Sequence, residues 1–217
     1  TDNEDSDNEF PDGNTDELFE EPVLNPSGNI PLSAGIDIKS VGVVKITVAV
    51  KDIDGVSKDF EREYVLENTA ETVSIPVFGL FPDHENIVVI KAFDKDGKVI
   101  ADKEFKIQTE KLPKNFPIVE LEGKIESGWT IVNWLFTPRE RPEMNFIAFD
   151  ESGRIRWYTD FPYPAAFPLT IHDGYIYTSN GESILYKYDM MGFEEGKWDV
   201  SEHGFTEIHH EIIIKDD

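Results

Sequence analysis

A motif that returns after roughly 40 residues limits what the C-terminal half of this chain can fold into, because such a period belongs to stacked or radially arranged units. Ile147-Ala-Phe-Asp-Glu-Ser-Gly153, followed by Arg154-Ile-Arg-Trp157, is echoed by Tyr186-Lys-Tyr-Asp-Met-Met-Gly192, followed by Trp198. Asp150 and Asp189 stand 39 positions apart, and Trp157 and Trp198 stand 41 apart. The spacing is that of a propeller blade, a four-stranded meander with a tight turn before an aromatic-bearing strand. Between the two copies, Gly174-Tyr-Ile-Tyr-Thr178 alternates as an inner strand would. Asp-x-x-Gly is also a general hairpin turn, so the period rather than the motif carries the reading. About a hundred residues follow Phe116, whereas propellers close with typically 4–8 blades. The expectation is an incomplete propeller, its first two or so blades, in a truncated chain.

Upstream, short β-branched runs separated by turn residues predict a second all-β unit. Val43 to Val50 places Lys45 and Thr47 on one face and Val44, Ile46 and Val48 on the other, the alternation of a half-buried strand. Phe60 to Leu66, Thr72 to Val77, Asn86 to Phe93 and Val99 to Thr109 read likewise, and Asp94-Lys-Asp-Gly97 joins the last two as a hairpin whose glycine supplies a positive φ. Five or six strands in this length make a small antiparallel sandwich. Two prolines in Lys111 to Pro117 then interrupt the pattern. The predicted organisation is a disordered acidic spacer over 1–22, a β-sandwich over 23–112 and the start of a propeller domain over 113–217.

Charge narrows the partners. The formal net charge is -24, and a surface of that sign repels phosphates, which excludes nucleic acid. With zero cysteines, disulfides, thiolate metal sites and cysteine nucleophiles are all excluded, and covalent chemistry falls to His, Ser, Thr, Lys, Tyr or a carboxylate. Thr1 to Glu21 carries many Asp and Glu, no Lys or Arg, and only Phe10, Leu18 and Phe19 as large apolar side chains, too little to bury. It reads as a solvated spacer, with a calcium-binding strip as the alternative. Such a spacer follows the anchoring residue of a processed surface lipoprotein, so a lipidated leader, a membrane tether through it and an extracytoplasmic location are expected.

The one dense cluster of chemically capable groups is near the end. His203, His209 and His210 stand there with Glu202, Glu207 and Glu211. If Ile208 to Ile214 is a strand, its period of two sets Ile208, His210, Ile212 and Ile214 on one face and His209, Glu211 and Ile213 on the other. His210 at the head of an inner strand would look into a propeller's channel, where a neutral imidazole can donate, accept or attack near pH 7. The plainer reading makes both surface or core histidines. Zinc on His203, His209 and Glu211 fits by ligand type, but the spacing matches no established pattern. His84, within Pro82-Asp-His-Glu-Asn86, reads as a structural turn residue. Ser127, Ser152 and Ser179 lack a nucleophile elbow, and no phosphate-cradling glycine loop is present, so neither a cofactor nor a metal is expected. Arg139 and Arg141, on a proline-flanked loop, could fork around an oxyanion such as sulfate, or simply be solvated.

Three stretches resemble the bacterial arylsulfate sulfotransferases, which move sulfuryl groups between phenols without a nucleotide donor. Leu24-Asn-Pro-Ser-Gly-Asn-Ile-Pro-Leu-Ser-Ala34 and Ile75-Pro-Val-Phe-Gly-Leu-Phe-Pro-Asp83 are similar to that family's N-terminal sandwich, and Phe205-Thr-Glu-Ile-His-His-Glu-Ile212 is similar to a blade motif that places a His in its channel. The resemblance runs from about Val23 to the end. It implies ping-pong transfer from an aryl sulfate donor to a phenolic acceptor through a sulfohistidine. His210, or His209 if the register is off by one, would contact the sulfuryl group, and the nucleophile is expected beyond Asp217, which makes this chain inactive alone. A surface-anchored binding or structural module without catalysis is the alternative. The apolar last strand, with an unpaired edge, is expected to promote self-association, for instance a homodimer.

Overall fold

The computed structural model describes residues 18–55, 58–66, 70–122, 128–136, 143–162, 169–208 and 212–214. Among these the regular structure is strand throughout, apart from a short 3-10 turn at Val200–His203. The all-β expectation holds. Seven strands come first: β1 (Val23–Leu24), β2 (Ser33–Lys39), β3 (Lys45–Val50), β4 (Phe60–Val65), β5 (Thr72–Phe78), β6 (Glu85–Phe93) and β7 (Val99–Gln108). They form two antiparallel sheets, ordered β1-β2-β5 and β4-β3-β6-β7. The inner faces meet in one apolar core, with Ile36, Ile38, Ile75 and Val77 from the first sheet opposing Ile46, Val48, Val88, Ile90 and Phe105 from the second.

Alternation explains β3 well: Ile46, Val48 and Val50 are buried while Lys45, Thr47 and Ala49 are half out. Val44, expected on the core face, precedes the strand and is exposed. β2 had no such pattern to read, because Ser33, Ala34, Gly35 and Ile36 are all buried in succession. Below the sheets, buried Asn86 ties the β5–β6 connection together: its Oδ1 accepts from the Phe81 N–H at 2.7 Å, and its Nδ2 donates to the carbonyls of Phe81 and His84 at 3.0 and 3.1 Å.

After the sandwich, Leu112, Phe116 and Val119 of the connecting segment pack on its core. A three-stranded meander follows, β8 (Thr130–Phe136), β9 (Glu143–Phe149) and β10 (Ile155–Tyr158), and then a four-stranded one, β11 (Leu169–His172), β12 (Tyr175–Ser179), β13 (Ile184–Asp189) and β14 (Glu194–Asp199). These are the propeller-like blades that the 40-residue period predicts. The repeated motif maps onto them strand for strand: β9, turn and β10 in the first correspond to β13, turn and β14 in the second. Gly174 to Thr178, expected as an inner strand, forms β12 and is flanked by both β11 and β13, so the outside place next to it belongs to β11.

Both repeated turns share one set of bonds. Asp150 Oδ1 accepts from the N–H groups of Ser152 and Arg154 at 3.0 and 3.1 Å, and Asp189 Oδ1 accepts from those of Met191 and Phe193 at 2.9 Å each. Asp94 makes the same pair of bonds in the sandwich hairpin, so the motif indeed encodes a turn rather than a blade. What distinguishes the blade turns is crowding. A Cβ on Gly192, at φ 84°, would lie 2.8 Å from Ser27, Asn29 and Ile30, whereas nothing lies within 4 Å of one on Gly97.

The first blade is held on both faces. Ile147, Ile155 and Tyr158 join the sandwich core, while Phe146, Ala148 and Trp157 pack against Ile176, Tyr186 and Tyr188 of the second blade. Ile30, from the β1–β2 loop of the sandwich, is fully buried in that second cluster. The same loop reaches the second blade directly, Ser27 Oγ donating to the Met191 carbonyl at 2.6 Å and Asn29 Nδ2 to the Gly192 carbonyl at 2.8 Å. Sandwich and blades are therefore one packed body.

Candidate functional site

At the end of β14 the chain turns back toward the β11 side of the second blade, and the bonds that steer it are specific. Asp199 starts the turn by accepting from the Ser201 N–H and from Ser183 Oγ, both at 2.9 Å; the Ser201 hydroxyl, together with these bonds, holds its carboxyl below the usual range. Gly204, at φ 85°, ends it. Ile208 is then fixed from both sides of its peptide: its N–H donates to the Glu182 carbonyl at 2.9 Å, and its carbonyl accepts from Ser179 Oγ at 3.3 Å. Ser179 is fully buried and also accepts from the Gly181 N–H at 3.2 Å. Farther on, Thr170 Oγ1 donates to the Ile212 carbonyl at 3.4 Å. Since β12 pairs Tyr177 with Thr170, the step from Ser179 to Thr170 runs back along β12, in the same sense as β11.

Ser179 and Thr170 share a sheet face with Tyr175, Tyr177 and His172, by the period of two and the pairing of Thr170 with Tyr177 and His172 with Tyr175. Lys187 joins them from β13, its Nζ 3.6 Å from the Tyr175 ring centre, a cation-π contact. The opposite face is the apolar one that meets the first blade. This second face thus combines hydroxyls, aromatic rings, an imidazole and an ammonium, groups able to hold an anionic or aromatic partner.

Of the sequence-predicted residues, His209, His210 and Glu211 lie outside the described residues, as do Arg139, Arg141, Ser127 and most of the acidic spacer. Ile208 and 212–214 are not in a strand, and the middle of the expected Ile208–Ile214 strand lies outside the described residues; the bonds at its ends come from side-chain hydroxyls and one backbone amide. His203 is exposed on the 3-10 turn, and His172 closes β11 beside Asp173 at 3.4 Å. His84 is a turn residue, its ring edge-on to Phe81 at 6.4 Å, in keeping with a structural role. Among the described residues no group of three or more His, Asp or Glu is placed to hold a metal ion.

The sequence reading missed the most buried ionic group. Arg156 and Asp150 are each 2% exposed, and Arg156 Nη1 donates to Asp150 Oδ2 at 2.9 Å. Arg156 Nε donates to the Gly79 carbonyl of the sandwich at 3.0 Å, and its guanidinium lies 3.6 Å from the Phe81 ring centre. Arg154 reaches Asp52 and Asp54 at 2.9 and 3.0 Å as well as Asp150. Burial pushes the Asp150 carboxyl up, but the Arg156 bond and the backbone N–H groups of Arg154 and Ser152 outweigh it and hold the group below the ordinary carboxylate range. Burial likewise lowers Arg156, against the pull of Asp150. Every group here is spent on another protein group, which makes the cluster a joint between sandwich and blade rather than a ligand site. Arg-Ile-Arg directly after the turn was its only local signal.

Two family models match the chain in tandem. Residues 22–110 match the arylsulfotransferase Ig-like domain, and residues 102–217 match arylsulfotransferase (ASST). No curated protein matches it.

Proposed function

The chain belongs to the arylsulfotransferase family, and from that premise we propose that it forms the sandwich and first blades of an enzyme moving a sulfuryl group from an aryl sulfate to a phenolic acceptor. One observation supports this more than any other: the anchoring of Ile208 on the second blade, through Glu182 and Ser179, immediately ahead of His209 and His210, one of which the family resemblance assigns to the channel.

In the proposed reaction an imidazole nitrogen attacks the sulfur of the aryl sulfate. The N–S bond forms as the S–O bond to the ring breaks, and the phenolate leaves and takes a proton. The acceptor phenol then gives up its proton, its oxygen attacks sulfur, and the N–S bond breaks. His210, or His209, is assigned to the sulfuryl oxygens, where a donor stabilises charge that grows in the transition state. The described histidines, His84, His172 and His203, stand on the sandwich, at the end of β11 and on an exposed turn, and are not brought together. The proposal therefore gives the nucleophile to another part of the ring and makes this chain inactive alone; the acidic stretch Thr1 to Glu21, read as a solvated spacer, supports a place outside the cytoplasm.

The test is release of 4-nitrophenol from 4-nitrophenyl sulfate, with and without phenol. A ring-closed protein carrying this sequence is expected to release it only with phenol, His210→Asn is expected to lower kcat at least tenfold, and the 217-residue chain is expected to release none. A folded, ring-closed protein with no phenol-dependent release would sink the enzyme reading in favour of a binding module.

A further inference from the structure

The outer face of the β1-β2-β5 sheet holds a cleft of about 570 Å³ that neither the blades nor the joint with the sandwich uses. Its floor is β2, where Ile36 and Ile38 turn into the core and Gly35 and Asp37 turn out. Val23 and Pro26 wall it on the β1 side, and Thr72 and Ser74 on the β5 side, with Ser74 paired to Asp37. Gly35 stands out in this floor. Its ladder with β5 runs unbroken from Ser33 to Lys39, its φ is outside the left-handed region, and a Cβ there would meet Ser74 Oγ at 3.4 Å and Pro26 Cγ at 3.7 Å, ordinary contact distances. Neither backbone nor packing demands glycine. Glycine inside a strand is less stable than alanine and marks a place where another group comes close to the backbone. The space left by its missing side chain belongs to the cleft.

Charge says what kind of group that is. Glu20, Glu21 and Asp37 line the cleft, and no Lys or Arg does. Glu21 meets Lys103 at 3.3 Å but is 83% exposed, and the side chains of Glu20 and Asp37 have no partner among the described residues. Among those residues no three carboxylates converge on a point where one metal ion could sit, so the negative charges are spread along the cleft. Beside them lie apolar surface from Val23 and Pro26 and two hydroxyls, Thr72 and Ser74, that can accept N–H bonds. The pattern suits a slender chain of ammonium groups joined by methylenes, whose stems lie on apolar side chains while the heads meet carboxylates.

We propose that this cleft on the sandwich binds a small linear polyamine, laid over Gly35 with its ammonium groups on Asp37, Glu20 and Glu21. The site belongs to the sandwich alone, so it stands or fails apart from sulfuryl transfer.

The test follows backbone amide shifts of the isotope-labelled 217-residue chain as spermidine is added in about 0.15 M salt. Saturable shifts centred on Gly35, Asp37 and Ser74 are expected, with a Kd of about 1 mM or below. Asp37→Asn is expected to weaken binding about fivefold, whereas Glu104→Gln, which removes an exposed charge from β7 of the other sheet, leaves it unchanged. Gly35→Ala is expected to keep or raise the melting temperature and still weaken binding about fivefold, which separates loss of the site from loss of the fold. Equal shifts at the same amides with magnesium at matched ionic strength overturn the proposal. So do an equal loss in Glu104→Gln and undiminished binding by Gly35→Ala. Tighter binding of an acetylated trilysine amide than of spermidine overturns it as well, because the cleft would then be a peptide site.

Discussion

Asp150 and Arg156 meet at 2.9 Å across a hairpin turn with almost no solvent contact, and the same guanidinium bonds a backbone carbonyl, Gly79, in the other half of the molecule. A charge pair so placed is costly to break and nearly neutral to replace as a pair. Arg156→Met is expected to destabilise the fold by about 1–3 kcal/mol, because buried Asp150 loses its closest cation and the Gly79 carbonyl its donor, while Arg154 still reaches Asp150 at 3.2 Å. The double variant with Asp150→Leu should recover part of that loss. Urea unfolding of the two single variants and the double variant checks the coupling; additive losses would mean that the residues act separately.

Acid should attack the same joint. The Asp150 carboxyl lies below its ordinary value in the folded state, so its contribution is fully present above the unfolded pKa, about 4, and is lost as pH falls through the depressed folded value. Asp59, lowered by its bond from Lys51 and by the Asp52 N–H, has the same sign. The urea midpoint is expected to be flat near neutrality and to fall below about pH 4, and Asp150→Asn should flatten that fall.

Gly97 and Gly192 occupy the same position in the same kind of turn, at φ 77° and 84°. Alanine at Gly97 meets open space, so its cost is the left-handed backbone alone, about 1–2 kcal/mol. At Gly192 the new carbon would collide with Ser27, Asn29 and Ile30, which adds about 1–3 kcal/mol of overpacking. A matched pair of thermal melts decides it, and equal losses would mean that the loop yields freely.

Asn86→Ala removes a side chain that is fully buried and bonds both the N–H and the carbonyl of Phe81. The Phe81 carbonyl keeps its bond from Thr109 Oγ1, but the Phe81 N–H is stranded, at about 1–3 kcal/mol for a backbone group left unsatisfied. A loss of at least about 1 kcal/mol in chemical denaturation is expected, and a loss below about 0.5 kcal/mol would point to water filling the gap.

The parts of the fold that were legible are those whose physics is local. β3 alternates because one face meets the core, and the Asp-x-x-Gly turns repeat because a carboxylate and a left-handed glycine close a hairpin within five residues. β2 was not legible, since burial on both sides removes alternation, and neither was β11, a four-residue strand that follows the proline-rich stretch Phe161 to Pro168. The Arg154 and Arg156 joint escaped for a different reason: its partners, Asp52, Asp54 and Gly79, stand some 77–102 positions away. For the site, the sequence marked the segment from Ile208 onward as important through family resemblance. The hydroxyl anchors that hold it, Ser179 and Thr170, carry no motif and appear only once the blade is folded.

Ile30 sits between two blades while its own loop belongs to neither, and Asn29 beside it grips the outer turn of the second. A rigid body that touches two neighbouring sheets fixes the angle between them. The sandwich is in this sense a gauge, setting the pitch from the first blade to the second. Any shift of the loop at Ser27 to Ile30 would therefore be passed on to the angle at which the two blades meet.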